Sequence, residues 1–103
     1  MDGIARIDKV VALVDVWLDA DLFPFPKMKM KVLERSSLDF LAVANLNLRN
    51  SQTGHPDYVS GLGKSTEEAI SDLLTRFVCD ARQQALETEL TVANFAWSAP
   101  EDF

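Results

Sequence analysis

The sequence predicts an α+β fold, in which a mainly antiparallel sheet carries its helices on one face. Residues 27–35 alternate between apolar and charged side chains, as a half-buried strand does, and residues 66–85 repeat apolar side chains at the spacing of an amphipathic helix. The chain has 103 residues, of which 48% are hydrophobic and 25% charged, enough for one hydrophobic core. We therefore predict a single domain over residues 1–103, with the element order α-β-β-β-α-β and a frayed tail at residues 98–103.

The first predicted element is a helix over residues 4–22, which the prolines at 24 and 26 end. Its apolar residues recur at helical spacing: Ile4, Ile7, Val10, Val11, Val14, Trp17, Leu18 and Leu22. At 100° per residue, Asp8, Asp15 and Asp19 lie within about 40° of one another, beside that stripe. Asp15 and Asp19 repel each other and oppose the helix dipole. We expect this acidic ridge to bind a partner; the alternative is that it only confers solubility.

The middle of the chain predicts a sheet. Because lysine discourages pairing between sheet edges, we interpret the alternating Lys27, Lys29 and Lys31 as the solvent-facing guard of an edge strand. The remaining predicted elements are a turn at Ser36 and Ser37, a second strand at 38–49, a loop at 50–57, a third strand at 58–62 and a fourth strand at 90–97. A helical crossover before the fourth strand allows that strand to join the sheet in parallel with a neighbour.

The second helix is the most clearly encoded element. Ser65 and Glu68 have the spacing of a capping box, so the helix begins at about Thr66. Its apolar face comprises Ala69, Ile70, Leu73, Leu74, Phe77, Val78 and Ala81, and its outward face Glu68, Asp72, Arg76, Cys79 and Gln83. Asp72 and Arg76 are spaced to form an ion pair. We assign Glu68 and Asp72 to partner binding; the alternative is an ordinary solvated face.

Composition limits the function classes. Sixteen acidic against ten basic residues give a net charge of −6, which disfavours binding to phosphate backbones and suits a basic protein partner. A single cysteine, Cys79, allows no internal disulfide, and neither the lone His55 nor any spaced ligand set predicts catalysis, a metal or a cofactor. The longest aliphatic run near the start, residues 10–14, is shorter than the roughly 20 residues of a membrane span. We predict a cytoplasmic, non-enzymatic protein without a membrane partner.

The segment from residue 58 to residue 69 resembles two families. In HicB-type antitoxins, a partial ribonuclease-H-like domain carries the pattern Gly-x-Gly-x-(Ser/Thr)-x-Glu-Glu-Ala into its helix. The matching residues here are Gly61, Gly63, Ser65, Glu67, Glu68 and Ala69. The α-β-β-β-α order and the glycine turn also resemble the double-stranded RNA-binding domain, whose helix start holds phosphates through lysines. Thr66, Glu67 and Glu68 stand at those positions here, so we predict no direct binding to nucleic acid.

These resemblances, together with the small acidic chain that is also typical of immunity proteins, imply a function. The leading hypothesis is a protein-binding inhibitor, an antitoxin or immunity protein, that neutralises a basic nuclease toxin by covering its active site with acidic groups. The alternative is a phage or host regulatory adaptor of the same fold without a toxin partner. The oligomeric state is open at this point.

Overall fold

The computed structural model describes residues 2–35 and 38–103, so the turn predicted at Ser36 and Ser37 lies outside the described residues. Within these residues, strands form two antiparallel sheets and one long helix packs against them, which confirms the α+β class. The strands are β1 (Lys9–Trp17), β2 (Lys27–Glu34), β3 (Phe40–Ala44), β4 (Leu46–Arg49), β5 (Pro56–Asp57), β6 (Ser60–Gly63) and β7 (Phe95–Trp97). The helix is α1 (Thr66–Ala85).

The larger sheet has the order β1-β2-β3-β6 and the smaller one the order β5-β4-β7. Asn45 is the only residue between β3 and β4, so one continuous stretch of chain passes from the first sheet into the second. The Asn45 side-chain oxygen accepts from Lys29 N at 2.9 Å, and its backbone N donates to Lys29 O at 3.0 Å. Its carbonyl accepts from Ser98 N at 2.8 Å. Asn45 therefore joins β2 of one sheet to the end of β7 in the other.

The prediction of a helix over residues 4–22 is wrong, because residues 9–17 of this segment form β1. Along β1 the exposure alternates with a period of two: Ala12, Val14 and Val16 are half-buried, whereas Leu13 and Trp17 are exposed. Each of these residues pairs with a residue of β2 in an antiparallel hairpin. Four valines in nine residues favour this conformation, since β-branched side chains fit a pleated surface better than a helix.

Several further expectations are corrected. The element order begins with a strand, and β2 lies between β1 and β3, so its lysines do not guard an edge. The last strand is antiparallel to β4, and it is shorter than predicted, because Val92–Asn94 forms a 3-10 turn before it. The predicted second strand is divided at Asn45 into β3 and β4. The final residues, for which fraying is predicted, contain a 3-10 turn at Pro100–Asp102.

The predicted start and apolar face of α1 are confirmed. Its N-cap is Ser65, whose hydroxyl oxygen accepts from Glu68 N at 3.1 Å, so the helix begins at Thr66. Its apolar face covers the side of the sheet that carries the buried residues of β2 and β3, and the core is completed by the smaller sheet and the β1–β2 turn. The buried residues of the core are Phe23, Met28, Met30, Val32, Ala42, Leu46, Leu48, Ala69, Leu73, Phe77, Ala81, Leu90 and Phe95.

The glycines of β6 allow α1 to approach the strand closely. A Cβ atom on Gly61 would collide with the backbone oxygen of Ala69 and lie 2.5 Å from the backbone nitrogen of Leu73. A Cβ atom on Gly63 would lie 2.5 Å from Glu68 Cβ and 2.6 Å from Ala69 N. Contacts this short require the helix to move. The Gly-x-Gly spacing therefore has a packing function in this fold.

Candidate functional site

The structure places Asp15 in a local ion-pair cluster. Asp15 lies on β1 opposite Lys29, and its carboxylate is 3.1 Å from Lys29 Nζ and 3.6 Å from Lys27 Nζ. The hydrogen bond from Lys29 holds the pKa of Asp15 below its ordinary value of 3.8, and the positive charge of Lys27 acts in the same direction. Within this chain, the charge of Asp15 is therefore already compensated.

Asp8 and Asp19 do not form a ridge with Asp15, because the helix that would align them does not exist. Asp8 precedes β1, and its Oδ2 accepts from Arg6 Nε at 3.1 Å. Asp19 follows β1, and its Oδ1 accepts from Asp21 N at 2.9 Å in the turn towards β2. That Asp8, Asp15 and Asp19 bind a partner stays a prediction. The acidic ridge on which that prediction was based does not form.

Glu68 and Asp72 both lie on the outward face of α1, where the sequence places them, and both contact the edge of β6. Glu68 Oε2 accepts from Lys64 N at 2.8 Å, and Asp72 Oδ2 accepts from Leu62 N at 2.9 Å. Asp72 also pairs with Arg76 at 3.3 Å, as predicted. The backbone hydrogen bond from Leu62 and the hydrogen bond from Arg76 hold the pKa of Asp72 below its ordinary value of 3.8. Asp72 thus satisfies a backbone donor of β6, and Glu68 satisfies the donor directly after the strand.

We expect the contribution of Asp72 to stability to depend on pH. A pKa that is lower in the folded state means that the ionised carboxylate stabilises the fold above its ordinary pKa of 3.8, and that this contribution is lost as the pH falls through the folded value. Asp72→Asn should therefore be less stable than the parent at pH 7, and the difference should shrink at pH 3. Urea denaturation at the two pH values measures it. The cost of Ser65→Ala, which removes no ionisable group, should stay the same; a constant cost of Asp72→Asn would contradict the assignment.

A second group of acidic residues lines a shallow cleft between the C-terminal part of α1 and the segment formed by β5 and the loop before it. We call Asp57, Asp80 and Glu87 the acidic cleft; they surround a cavity of about 190 Å³. The polar neighbours that line the same cavity are Asn50, Ser51, Gln83 and Gln84. The three acidic residues are exposed, and within residues 2–35 and 38–103 none of them forms an ion pair. The cleft thus presents uncompensated negative charge with amide and hydroxyl groups around it.

The sequence contained a signal for this cleft that our prediction did not use. Asp80 follows Asp72 and Arg76 at steps of four residues, so it lies on the same outward face of α1. Gln84 and Glu87 continue that face into the turn after the helix, where Glu87 N donates to Gln84 O at 3.1 Å. The contribution of Asp57 could not be read from the sequence, because it depends on β5 pairing beside β4.

The sheet face opposite α1 is the other open surface. It carries the lysines of β2 and several exposed apolar side chains, among them Trp17, and borders a groove of about 980 Å³. C-terminal residues line this groove, where Lys31 Nζ lies 4.9 Å from the centre of the Phe103 ring. Cys79 is exposed on α1 and lines a small cavity together with Tyr58. His55 lies in the exposed loop before β5, where its backbone N donates to the hydroxyl of Thr53 at 3.3 Å.

No protein-family model matches this sequence, and neither a curated protein nor a solved structure shows significant similarity to it. In the described part of the chain, no group of three or more His, Cys, Asp or Glu side chains is placed to hold a metal ion. The same residues contain no helix that combines the length and the apolar character of a membrane span.

Proposed function

We propose that this chain is a protein-binding inhibitor that neutralises a basic, nuclease-type toxin, and that the acidic cleft makes the central contact. The observation that carries the proposal is the set of uncompensated carboxylates of Asp57, Asp80 and Glu87 around one concave site. A concave site surrounded by acidic and amide groups suits a projecting arginine or lysine, because a carboxylate accepts charge-assisted hydrogen bonds from either.

The distribution of charge supports a partner-binding site on the side of the molecule that carries α1. The net charge is −6, yet the carboxylates within strands β1 and β2 are matched within the chain: Asp15 pairs with lysines of β2, and Glu34 lies 2.9 Å from Lys9 Nζ. The outer side of α1 and its flanking loops carry much of the excess. A basic partner is therefore attracted towards α1 rather than towards the lysines of the open sheet face.

The class of partner follows from complementary chemistry and from the resemblance to HicB-type antitoxins. A nuclease that holds a phosphate backbone presents lysine and arginine side chains around its active site. An acidic protein that occupies those side chains competes with nucleic acid for them. Glu68 and Asp72 contribute to the negative potential of the same face, although their carboxylates also bind the β6 edge.

The test starts from capture of the partner from the source cell with the full chain, followed by identification by mass spectrometry. If the partner is a basic nuclease, the chain should inhibit its cleavage of nucleic acid at a stoichiometric ratio. Neutralising the acidic cleft with Asp57→Asn, Asp80→Asn and Glu87→Gln should lower the association rate roughly tenfold at low salt, because electrostatic steering raises association rates by about 10- to 1000-fold. The salt dependence of that rate should also flatten.

A control variant with the same change in net charge separates steering by this site from steering by total charge. Asp2→Asn, Asp21→Asn and Glu101→Gln neutralise three exposed carboxylates outside the cleft and should leave most of the association rate and the inhibition unchanged. Equal losses in both variants would refute the cleft as the contact. A captured partner that is not inhibited would replace the toxin proposal by the regulatory-adaptor alternative.

A further inference from the structure

The two edges of the larger sheet differ in how they are closed. At the β6 edge, side chains of α1 accept hydrogen bonds from the backbone of Leu62 and from Lys64, directly after the strand. The other edge is β1, and no strand pairs with its outer side in the described residues. Edge strands with free donors and acceptors are templates for pairing with another chain. Among the described residues, the β6 edge alone is covered.

β1 has few of the features by which edge strands usually avoid pairing with another chain. A β-bulge between Val10 and Ala12 disrupts its first part, and Lys9 lies before that bulge. Residues 12–17 are regular and contain neither lysine nor proline. Leu13 and Trp17 expose 67% and 72% of their surface on the open sheet face. The only charge in this segment, Asp15, is matched by lysines of β2, so it does not repel an approaching strand.

We infer that β1 is an interface at which a second copy of this chain docks, so that the two larger sheets join into one continuous antiparallel sheet around a two-fold axis. Directly opposite residues in an antiparallel pair lie on the same face, so the axis must lie midway between the two copies of one residue of β1. This places both copies of α1 on the same side of the joined sheet. The proposal does not involve the acidic cleft and stands independently of the proposed function.

The Asp15 carboxylate and the bulge between Val10 and Ala12 determine the register in which the two copies of β1 pair. An axis at Asp15 would oppose two identical carboxylates, and an axis at Leu13 would pair Asp15 with Val11, which lies in the bulge. An axis at Val14 uses only residues 12–16, and it places Leu13 opposite Asp15 of the second copy. This register avoids both problems.

The same register makes the open faces of the two copies complementary in charge. Leu13 pairs with Lys31 inside its own chain, so Lys31 and Asp15 of the second copy lie on either side of Leu13. Adjacent strands are about 4.8 Å apart. Lys31 and Asp15 of the second copy are separated by two such spacings, so their backbones are roughly 10 Å apart. In the dimer, the Lys31 side chain turns from the Phe103 ring across Leu13 and closes much of this gap. Each Asp15 then lies among three lysines, two from its own chain and one from the other.

The test is the molecular mass in solution, measured by sedimentation equilibrium over a range of concentrations with the full chain. The parent should be a dimer. Leu13→Asp should raise the dissociation constant roughly tenfold or more, because it creates two like-charge contacts across the axis. Leu13→Lys should remain dimeric, since it places a lysine opposite Asp15 of the second copy. This opposite response to the two charges is specific to the Val14 register.

Leu62→Asp is the matched control, since Leu62 is also exposed on the open face but lies on β6 at the far edge. It should leave the dimer intact. Circular dichroism and thermal unfolding of Leu13→Asp should show a folded chain, because in the monomer the new carboxylate lies opposite Lys31. A parent that is monomeric up to millimolar concentration would overturn the inference, as would a Leu13→Asp variant that dimerises like the parent.

Discussion

Replacing Leu73 by aspartate is expected to leave much of the protein unfolded at 25 °C. Leu73 is fully buried at the centre of the contact between α1 and the sheet, beside Gly61. The substitution removes the packing of a buried leucine, which costs about 2 to 5 kcal/mol, and also places an unpaired charge in an apolar core. A domain of this size is stable by only about 5 to 15 kcal/mol, so the loss is a large part of the total.

The free energy of unfolding in urea measures this effect, and two variants calibrate it. Thr75→Asp introduces the same side chain on the exposed face of α1 and should change stability by no more than about 0.5 kcal/mol. Ser65→Ala removes the N-cap hydroxyl and should cost about 1 kcal/mol. If Leu73→Asp and Thr75→Asp were equally stable, α1 would not pack against the sheet through this face.

The second large effect is expected from Gly61→Ala, which adds a single methyl group. In most positions where the backbone permits alanine, this substitution stabilises a protein by about 0.4 to 1 kcal/mol, because the unfolded chain loses conformational freedom. Here the added carbon meets backbone atoms of Ala69 and Leu73, which no rotamer change can move away. Because overpacking typically costs about 1 to 3 kcal/mol, we expect a loss near 3 kcal/mol.

Chemical denaturation again tests this prediction, and the sign of the change in the free energy of unfolding is the informative result. Ser60→Ala, at the exposed neighbouring position of β6, serves as the control and should be nearly neutral. A Gly61→Ala variant as stable as the parent, or more stable, would mean that the helix and the strand are further apart than the structure shows. A clear loss would establish that the glycine spacing serves packing, whatever the chain binds.

Local patterns were sufficient to predict the elements whose sequence favours one periodicity. The N-cap residue Ser65 fixes the start of α1, and the alternation of residues 27–35 identifies β2. Residues 9–17 satisfy two periodicities, because Val10, Val14 and Trp17 follow helical spacing while the valine-rich stretch also alternates. Pairing with β2 decides between them, and that is a tertiary contact. A short apolar segment of this kind cannot be assigned from its own pattern.

The candidate site was predicted only in part, for the same reason. Glu68 and Asp72 lie where helical spacing places them, because the helix itself determines their direction. The compensation of Asp15 depends on the hairpin register that brings Lys29 opposite it. The acidic cleft combines residues of α1 with Asp57, which is distant in sequence, and only the folded chain shows that they border one cavity.

Asn45 has a consequence for how the protein opens. Its hydrogen bonds tie Lys29 of β2 and Ser98 after β7 to one residue, so neither sheet can separate from the other without breaking them. Local unfolding usually proceeds in cooperative units of neighbouring elements. Because Asn45 belongs to the boundary of both sheets, native-state hydrogen exchange should release the amides of Asn45 and Ser98 in a single event. The two sheets, although separate in their strand pairing, then form one unit of cooperative unfolding.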